Sequence, residues 1–178
     1  GVKTKFEGQE IKVFTASDVF SQSMVVESDW SSASYYYSLI ALSDVGSEVS
    51  LSSYTPDSLQ GDAVLRDIYS HLGVQTTFKK DQLVLAKVAA PSDAILEKGL
   101  AWDLSNAPDI AQTIAVSCFG LGVACDLTGL HTLKIKETDR LVALENELSK
   151  LGAGLHITEK SLHLAAFNCI PLLLAAFA

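Results

Sequence analysis

Residues 138–165 read TDRLVALENELSKLGAGLHITEKSLHLA, and this stretch defines the folding unit of the chain. Leu141, Leu144 and Leu148 recur at helical spacing. Gly152 follows them as a residue that commonly ends a helix. Two short alternating segments, GLHIT and SLHLA, come next and are typical of a hairpin. The stretch therefore predicts a helix followed by two antiparallel strands.

The same order occurs 79 positions earlier, in residues 59–86, LQGDAVLRDIYSHLGVQTTFKKDQLVLA. There Gly73 takes the position of Gly152, and QTTFKK and QLVLAKV form the predicted hairpin. In both halves, a strand, a helix and a second strand precede this helix and its hairpin. The predicted segments are strand 24–28, helix 29–43 and strand 48–54 in the first half, and strand 100–106, helix 107–122 and strand 123–130 in the second.

The chain thus contains a β-α-β-α-β-β unit twice, over residues 24–88 and 98–165, with a linker at 89–97. This alternation predicts an α/β protein in which helices pack against sheets. Each unit must bury one face against a neighbour, so two units imply a third that completes the lobe. We interpret residues 1–23, which hold the alternating pair FEGQEIKVF, as the tail of a preceding lobe, and residues 24–178 as a partial lobe.

Composition narrows the class of protein. The chain has 178 residues, is 48% hydrophobic and carries a net charge of −8, which argues against nucleic acid or an anionic membrane as a partner. No apolar run approaches the roughly 18 residues of a membrane span. The three cysteines are odd in number and fit no disulfide or metal spacing, so we expect reduced thiols in a cytoplasmic protein.

A cluster of charge precedes the last predicted helix. Lys134, Lys136 and Arg140 lie close in sequence to one acid, Glu137. The N-cap is either the threonine or the aspartate that follows Glu137. Free backbone N–H groups and basic side chains at such a helix start suit an anionic ligand. Spacing alone also fits a hydrated helix start without any ligand.

Other polar residues have structural explanations. Asp29 is placed as the N-cap of the first helix, and Gly61 and Asp62 mark the start of the second. His156 and His163 are predicted to face each other across the last hairpin, but two ligands are too few for a metal site. We therefore predict no metal and no cofactor.

Four motifs then add a family resemblance. VESDWSSASYY (26–36), SLQGD (58–62), NAPDIAQTIAV (106–116) and LKIKETDR (133–140) occur in this order, and the last is followed by ELSKLGA. Together they resemble the 5-enolpyruvylshikimate-3-phosphate synthase family. The resemblance implies a lobe that is an inside-out α/β barrel of three such units, two of them recognisable here.

The resemblance also implies a reaction. The family transfers the enolpyruvyl group of phosphoenolpyruvate to the 5-hydroxyl of shikimate 3-phosphate and releases phosphate, in the route to chorismate and the aromatic amino acids. By motif position, Asp109 matches an acid/base aspartate and Glu137 a glutamate that transfers a proton at the methylene carbon. Lys136 matches a lysine that contacts shikimate 3-phosphate, and Arg140 an arginine that binds phosphoenolpyruvate. Thr132 stands where some members have a substrate-contacting asparagine.

The chain departs from the family after its last hairpin. An NDHRM-like motif is expected there, but Asn168 is followed by Cys169, Ile170 and Pro171 in an apolar ending, CIPLLLAAFA. The other lobe of the enzyme is also missing, so it is an expected partner. We therefore interpret the chain as a fragment that is inactive alone. The alternatives are an enzyme similar to UDP-N-acetylglucosamine enolpyruvyl transferase, or a non-catalytic α/β module that keeps the scaffold.

Overall fold

The computed structural model describes residues 2–15, 23, 25–80 and 82–167. Five α-helices and nine strands lie in this part of the chain. In chain order they are β1 (Thr4–Glu7), β2 (Glu10–Val13), α1 (Trp30–Ala41), β3 (Glu48–Ser52), α2 (Leu65–Ser70), β4 (Val74–Lys79), β5 (Gln82–Lys87), α3 (Asp93–Lys98), β6 (Leu100–Asp103), α4 (Ala111–Leu121), β7 (Cys125–Thr128), α5 (Arg140–Lys150), β8 (Leu155–Ile157) and β9 (Ser161–Leu164). Three short 3-10 turns precede α2, α4 and α5, at Gly61–Val64, Pro108–Ile110 and His131–Ile135.

The two halves share one hairpin register. In the first sheet, of order β3-β5-β4, Thr77 pairs with Val84. In the second, of order β6-β7-β9-β8, His156 pairs with His163, and these are the positions 79 residues further on. The facing histidines are therefore confirmed, and the two hairpins match at the 79-residue offset.

The helices join the two halves. α1 contacts β3, β4 and β5 of its own sheet and also packs on α4, which contacts β7 of the second sheet. Apolar residues from both halves form one core, including Tyr37 and Ile68 of the first and Ile114 and Leu127 of the second. β6 and β7 are parallel and α4 connects them, as an α/β crossover requires. The predicted α/β class is confirmed.

The predicted strand at 24–28 is wrong. Residues 25–28 form no strand. One backbone hydrogen bond, from the Ser28 N–H to the Ser53 carbonyl, connects them to the residue that follows β3. Val25 and Val26 are exposed, so their β-branched side chains have no sheet face to cover. Strand propensity does not produce a strand without a partner edge.

The linker at 89–97 is not wholly irregular. α3 begins within it, because the Ser92 hydroxyl accepts a hydrogen bond from the Ile95 N–H. Gly99, with φ +77°, ends this helix before β6. The sequence interpretation overlooked this N-cap, which is a local signal that could have been recognised.

The first hairpin is separate from these sheets. Among the described residues, β1 and β2 pair only with each other, and all eight of their residues are exposed. Its placement as the tail of a preceding lobe stays a prediction. The apolar ending and the departure at Asn168–Pro171 lie outside the described residues. Among the helices that are described, none has the length and apolar character needed to span a membrane.

Candidate functional site

Two loops bring the predicted acids and bases together. Asp109 lies in the 3-10 turn Pro108–Ile110, and Pro108 holds the first position of that turn. The Lys136 Nζ is 3.0 Å from Asp109 Oδ1, and the Arg140 Nη1 is 3.3 Å from the same oxygen. One carboxylate therefore contacts two cations that are 27 and 31 residues away in sequence.

Glu137 forms the second acid–base contact of the cluster. Its Oε1 accepts from Arg140 Nε at 2.9 Å, and its Oε2 accepts from Arg140 Nη2 at 3.0 Å. This bidentate pair holds the pKa of the Glu137 carboxyl below its usual value. The Glu137 side chain is 65% exposed and that of Arg140 is 27% exposed, so the carboxylate is on the solvent side of the pair.

Lys134 does not belong to the cluster, contrary to the expectation from its position. Its Nζ is 2.6 Å from Glu159, in the turn between β8 and β9. Near neighbours in a loop can point in different directions, and the β8–β9 turn offers Lys134 an acid of its own. The basic group at this site is therefore Lys136 and Arg140.

The start of α5 is already capped. Asp139, one of the two predicted N-caps, accepts hydrogen bonds from the N–H groups of Leu141 and Val142 at 3.1 Å. The sequence interpretation assumed that such N–H donors are free for a ligand, but these two are already bonded to Asp139. An anion at this site must be recognised mainly by side chains.

Thr132, the fifth predicted residue, lies in the turn His131–Ile135 and makes no hydrogen bond to the other four. Its Oγ1 is buried and has no hydrogen-bond partner in the described structure. A buried hydroxyl without a partner costs about 1–3 kcal/mol. A ligand group that reached this oxygen would relieve that cost.

Asp62 is a neighbour that the sequence interpretation treated as structural. It is at the start of the turn Gly61–Val64 and accepts a hydrogen bond from the Ser31 hydroxyl. Burial raises the pKa of its carboxyl, and the negative charge of Asp109 acts in the same direction. The opposing influence of Lys136 shows that Asp62 shares the electrostatic field of the cluster.

Close backbone contact places Asp62 there. A Cβ on Gly61 would lie 2.1 Å from the carbonyl oxygen of Asn106, so only glycine permits this approach of the two loops. Asn106 is three residues before Asp109. The motif SLQGD contains this glycine and this aspartate, but the spacing of residues along the chain could not predict their contact with the loop at Asn106.

A network around Glu27 fixes the start of α1 beside the same loops. Its carboxylate accepts from the Trp30 indole N–H and the Ser58 hydroxyl, both at 2.9 Å. Gln60 donates to Glu27 and accepts from the backbone N–H of Trp30. Asp29 caps α1 by accepting from the Ser31 N–H at 2.9 Å, which confirms its predicted role.

A groove of about 570 Å³ extends from the cluster between α1, α4 and α5. Asp109, Glu137 and Arg140 line it together with apolar residues such as Val116 and Leu144. Gln112 also lines the groove, and its buried Oε1 has no hydrogen-bond partner in the described residues. The groove thus combines a charged end with an apolar wall, as ligand sites often do.

The facing histidines form a separate polar group. His163 Nδ1 is 2.6 Å from Asp126 Oδ1, and its Nε2 is 2.9 Å from the Ser161 hydroxyl. Within the part of the chain that the structure describes, no three His, Cys, Asp or Glu side chains are placed to hold a metal ion. Cys118 and Cys125 are buried free thiols there, as expected for Cys118.

Chemically, the cluster offers two carboxylates of different environment and two cations on one rim. Asp109 accepts from both cations, whereas Glu137 accepts from Arg140 alone among them. Cations suit phosphate and carboxylate groups, and carboxylates suit proton transfer to and from a bound substrate. This arrangement can bind an anion and move protons at its edge.

Comparison with known proteins identifies the family of the chain. The model of the family described as EPSP synthase (3-phosphoshikimate 1-carboxyvinyltransferase) matches residues 1–171. The 3-phosphoshikimate 1-carboxyvinyltransferase of Bacteroides fragilis is 41% identical over 131 residues, covering 74% of this chain and 30% of the relative. That of Methanospirillum hungatei is 33% identical over 138 residues, covering 78% of this chain and 31% of the relative.

A solved structure agrees on the fold. EPSP synthase from Acinetobacter baumannii superimposes with a TM-score of 0.63 at 19% identity, covering 93% of this chain and 38% of that one. The chain therefore spans about a third of the length of the relatives it matches.

Proposed function

Because this chain belongs to the EPSP synthase family, we propose that it is part of a 3-phosphoshikimate 1-carboxyvinyltransferase. The reaction joins phosphoenolpyruvate to the 5-hydroxyl of shikimate 3-phosphate and releases phosphate. The observation that carries the proposal is the convergence of Asp109, Lys136, Glu137 and Arg140 in one cluster of ion pairs, three members of which line the groove. All four match the family's motif positions.

Each side chain has a role in the proposed addition and elimination. Asp109 accepts the proton of the 5-hydroxyl as its oxygen attacks the enol carbon, and Glu137 gives a proton to the methylene carbon. Phosphate then leaves as the new methyl group loses a proton. General acid–base transfer of this kind needs groups within hydrogen-bond reach of the reacting atoms.

The cations hold the two anionic substrates. Lys136 contacts shikimate 3-phosphate, and Arg140 binds phosphoenolpyruvate through its planar guanidinium. Thr132 is included as a substrate contact, and its unpartnered hydroxyl supports that role. The substrates must displace existing ion pairs, because both cations contact carboxylates in the free chain.

The rest of the active site belongs to a second lobe, which we propose as the partner of this one. Residues 1–23 are then the tail of that lobe, and residues 24–178 a partial lobe. Closure of two lobes around the substrates would exclude water and complete the set of ligands. We propose a cytoplasmic enzyme, which the buried free thiols Cys118 and Cys125 support.

Binding to this chain is the direct test. We expect shikimate 3-phosphate to perturb the amide NMR signals of residues 109 and 136–140, with weak affinity because one lobe contributes only some of the contacts. Lys136→Gln should weaken binding by about 2–10-fold, as loss of one charge-assisted contact predicts. Lys98→Gln is the matched control, since Lys98 lies in the last turn of α3, which contributes no residue to the groove.

The outcomes separate the alternatives. If UDP-N-acetylglucosamine perturbs these amide NMR signals and shikimate 3-phosphate does not, the other enolpyruvyl transferase is favoured. Loss of binding in Lys98→Gln but not in Lys136→Gln would contradict the assignment of the site. A chain that binds neither substrate nor phosphoenolpyruvate would fit a non-catalytic module. We expect no phosphate release by this chain alone with either acceptor.

A further inference from the structure

We propose that Arg140 controls the proton on Glu137: an anionic ligand that takes the Arg140 guanidinium displaces Glu137, which then binds a proton from solvent. Arg140 is thus a positioning residue for the proton donor as well as a ligand for substrate. The identity of the ligand rests on the proposed function, whereas the coupling between Arg140 and Glu137 rests on the geometry of this chain.

Each nitrogen of the guanidinium already donates to a carboxylate in the free chain. Its Nε and Nη2 both donate to Glu137, at 2.9 and 3.0 Å, and its Nη1 donates to Asp109 at 3.3 Å. A carboxylate or phosphate binds arginine best through two parallel N–H groups. Such a ligand must therefore compete with one of the two carboxylates that already occupy the guanidinium.

Glu137 is the carboxylate that yields. Asp109 keeps a second cation, since Lys136 lies 3.0 Å from it, whereas Glu137 accepts side-chain hydrogen bonds from Arg140 alone in the described structure. The Glu137 side chain is also the more exposed of the two, at 65% against 40% for Asp109. An exposed carboxylate can turn into water at little cost when its partner is taken.

Displacement changes the protonation of Glu137. Its hydrogen bonds with Arg140 are the largest cause that lowers the pKa of its carboxyl in the free chain. Without them, and beside a bound anion, the charged form loses its main stabilisation and the pKa rises. The charged and titratable groups that surround the pair are Tyr35 of α1, Asp62 and Asp109 of the two 3-10 turns, Lys136 of the loop and Glu147 of α5.

Lys136 is the one cation in that set, and it is shared with Asp109 and, in the proposed function, with the phosphate of the other substrate. No cation is therefore left to replace Arg140 beside Glu137 within the described residues. A carboxyl group must carry a proton before it can act as a proton donor. The exchange would load Glu137 with a proton only when the ligand is in place.

The first experiment needs no ligand. We would follow the Glu137 side-chain carboxyl by carbon-detected NMR across pH in the wild-type chain and in Arg140→Gln. We expect its titration midpoint to rise in Arg140→Gln toward that of an unpaired glutamate. Lys98→Gln, which removes one positive charge from α3, outside the groove, should leave it unchanged. An unchanged midpoint in Arg140→Gln would overturn the proposal.

The second experiment adds phosphoenolpyruvate to the wild-type chain. Calorimetry in two buffers of different ionisation heat, at a pH about one to two units above the free-chain midpoint, should show net uptake of up to about one proton per bound ligand. Glu137→Gln should bind without that uptake. Binding with no proton uptake, or no displacement of Glu137 by any ligand concentration, would overturn the exchange.

The two experiments also separate this proposal from the proposed function. Failure of shikimate 3-phosphate to bind at Lys136 would count against the enzyme assignment but would leave the Arg140→Gln titration intact. Conversely, if the titration midpoint of Glu137 does not change in Arg140→Gln while shikimate 3-phosphate still binds at Lys136, only the proposed coupling between Arg140 and Glu137 is contradicted.

Discussion

At the scale of single residues, the cluster is held together by its own opposite charges. Asp109 bridges Lys136 and Arg140, and Glu137 covers the other edge of Arg140. Exposed pairs of this kind contribute about 0–1 kcal/mol each. Pairs this weak hold the side chains in place and can still be displaced by a competing anion.

Asp29 shows how strongly one residue can define a helix start. Asp29→Ala removes the acceptor for the Ser31 N–H and should lower the free energy of unfolding by about 1 kcal/mol. Urea denaturation at pH 7 measures this change. Asp29→Asn is the matched control, because asparagine caps about as well. An Asp29→Ala chain as stable as wild type would contradict the capping role.

The same cap has a predicted pH dependence. Burial opposes ionisation of Asp29, but hydrogen bonds from the N–H of Ser31 and the hydroxyl of Ser32 prevail and lower the pKa of its carboxyl. Because the carboxyl pKa is lower in the folded state, its ionised form stabilises the fold at pH values above the unfolded-state pKa of about 4. That stabilisation is lost as the pH falls through the folded-state pKa. The stability difference between wild type and Asp29→Ala should therefore shrink in acid.

At the scale of elements, the site depends on two loops that touch through backbone. The loop before α2 approaches the loop before α4 at Gly61 and Asn106, and it brings Asp62 beside the cluster. Another link joins the halves further along, where the Tyr69 hydroxyl of α2 is 2.8 Å from the Ser117 hydroxyl of α4. The relative position of the two units is therefore fixed at both loops and helices.

Gly61→Ala tests the loop contact. The added Cβ would lie 2.1 Å from the Asn106 carbonyl oxygen, so the loops must separate. We expect a loss of about 1–3 kcal/mol in the free energy of unfolding, as for other overpacked positions. Amide NMR shifts at residues 106–109 should change with it.

Gly154→Ala is the matched control for that variant. Its added Cβ would meet only the Cβ of Ala165, at 3.4 Å, which is ordinary contact. Equal stability of Gly61→Ala and Gly154→Ala would show that the two loops are not in contact as described.

At the scale of the whole molecule, α1 leaves an apolar stripe on the outside. Tyr35 and Leu39 are 70% and 60% exposed, and Leu42, one turn further on, is 46% exposed. Residues at this spacing lie on one face of a helix. A contiguous exposed apolar face often marks an interaction surface. It fits the expectation that a third unit completes the lobe.

We therefore predict that this chain self-associates at high concentration. Sedimentation velocity over a concentration series should show growth in mean mass, and Leu39→Lys should reduce it by placing a charge in the stripe. Val88→Lys is the control, because Val88 is a comparably exposed apolar residue outside α1. A wild-type chain that stays monomeric throughout would contradict the prediction.

The local signals in the sequence determined most of the elements. Asp29 and Asp139 mark the starts of α1 and α5, Gly73 and Gly152 follow the helices before each hairpin, and the 79-residue offset predicts one hairpin register from the other. These features were predictable because each depends on residues a few positions apart, whose hydrogen bonds form within one turn or hairpin. The overlooked N-cap at Ser92 is of the same kind.

Tertiary structure decided the rest. It left residues 25–28 without a strand partner, directed Lys134 to Glu159 and brought Asp62 into the field of Asp109. The sequence, through its family motifs, determined which residues to consider for the site. Only the fold decided which of them meet, because contacts between residues 25 or more positions apart depend on how the two units pack, and no spacing rule along the chain encodes that distance.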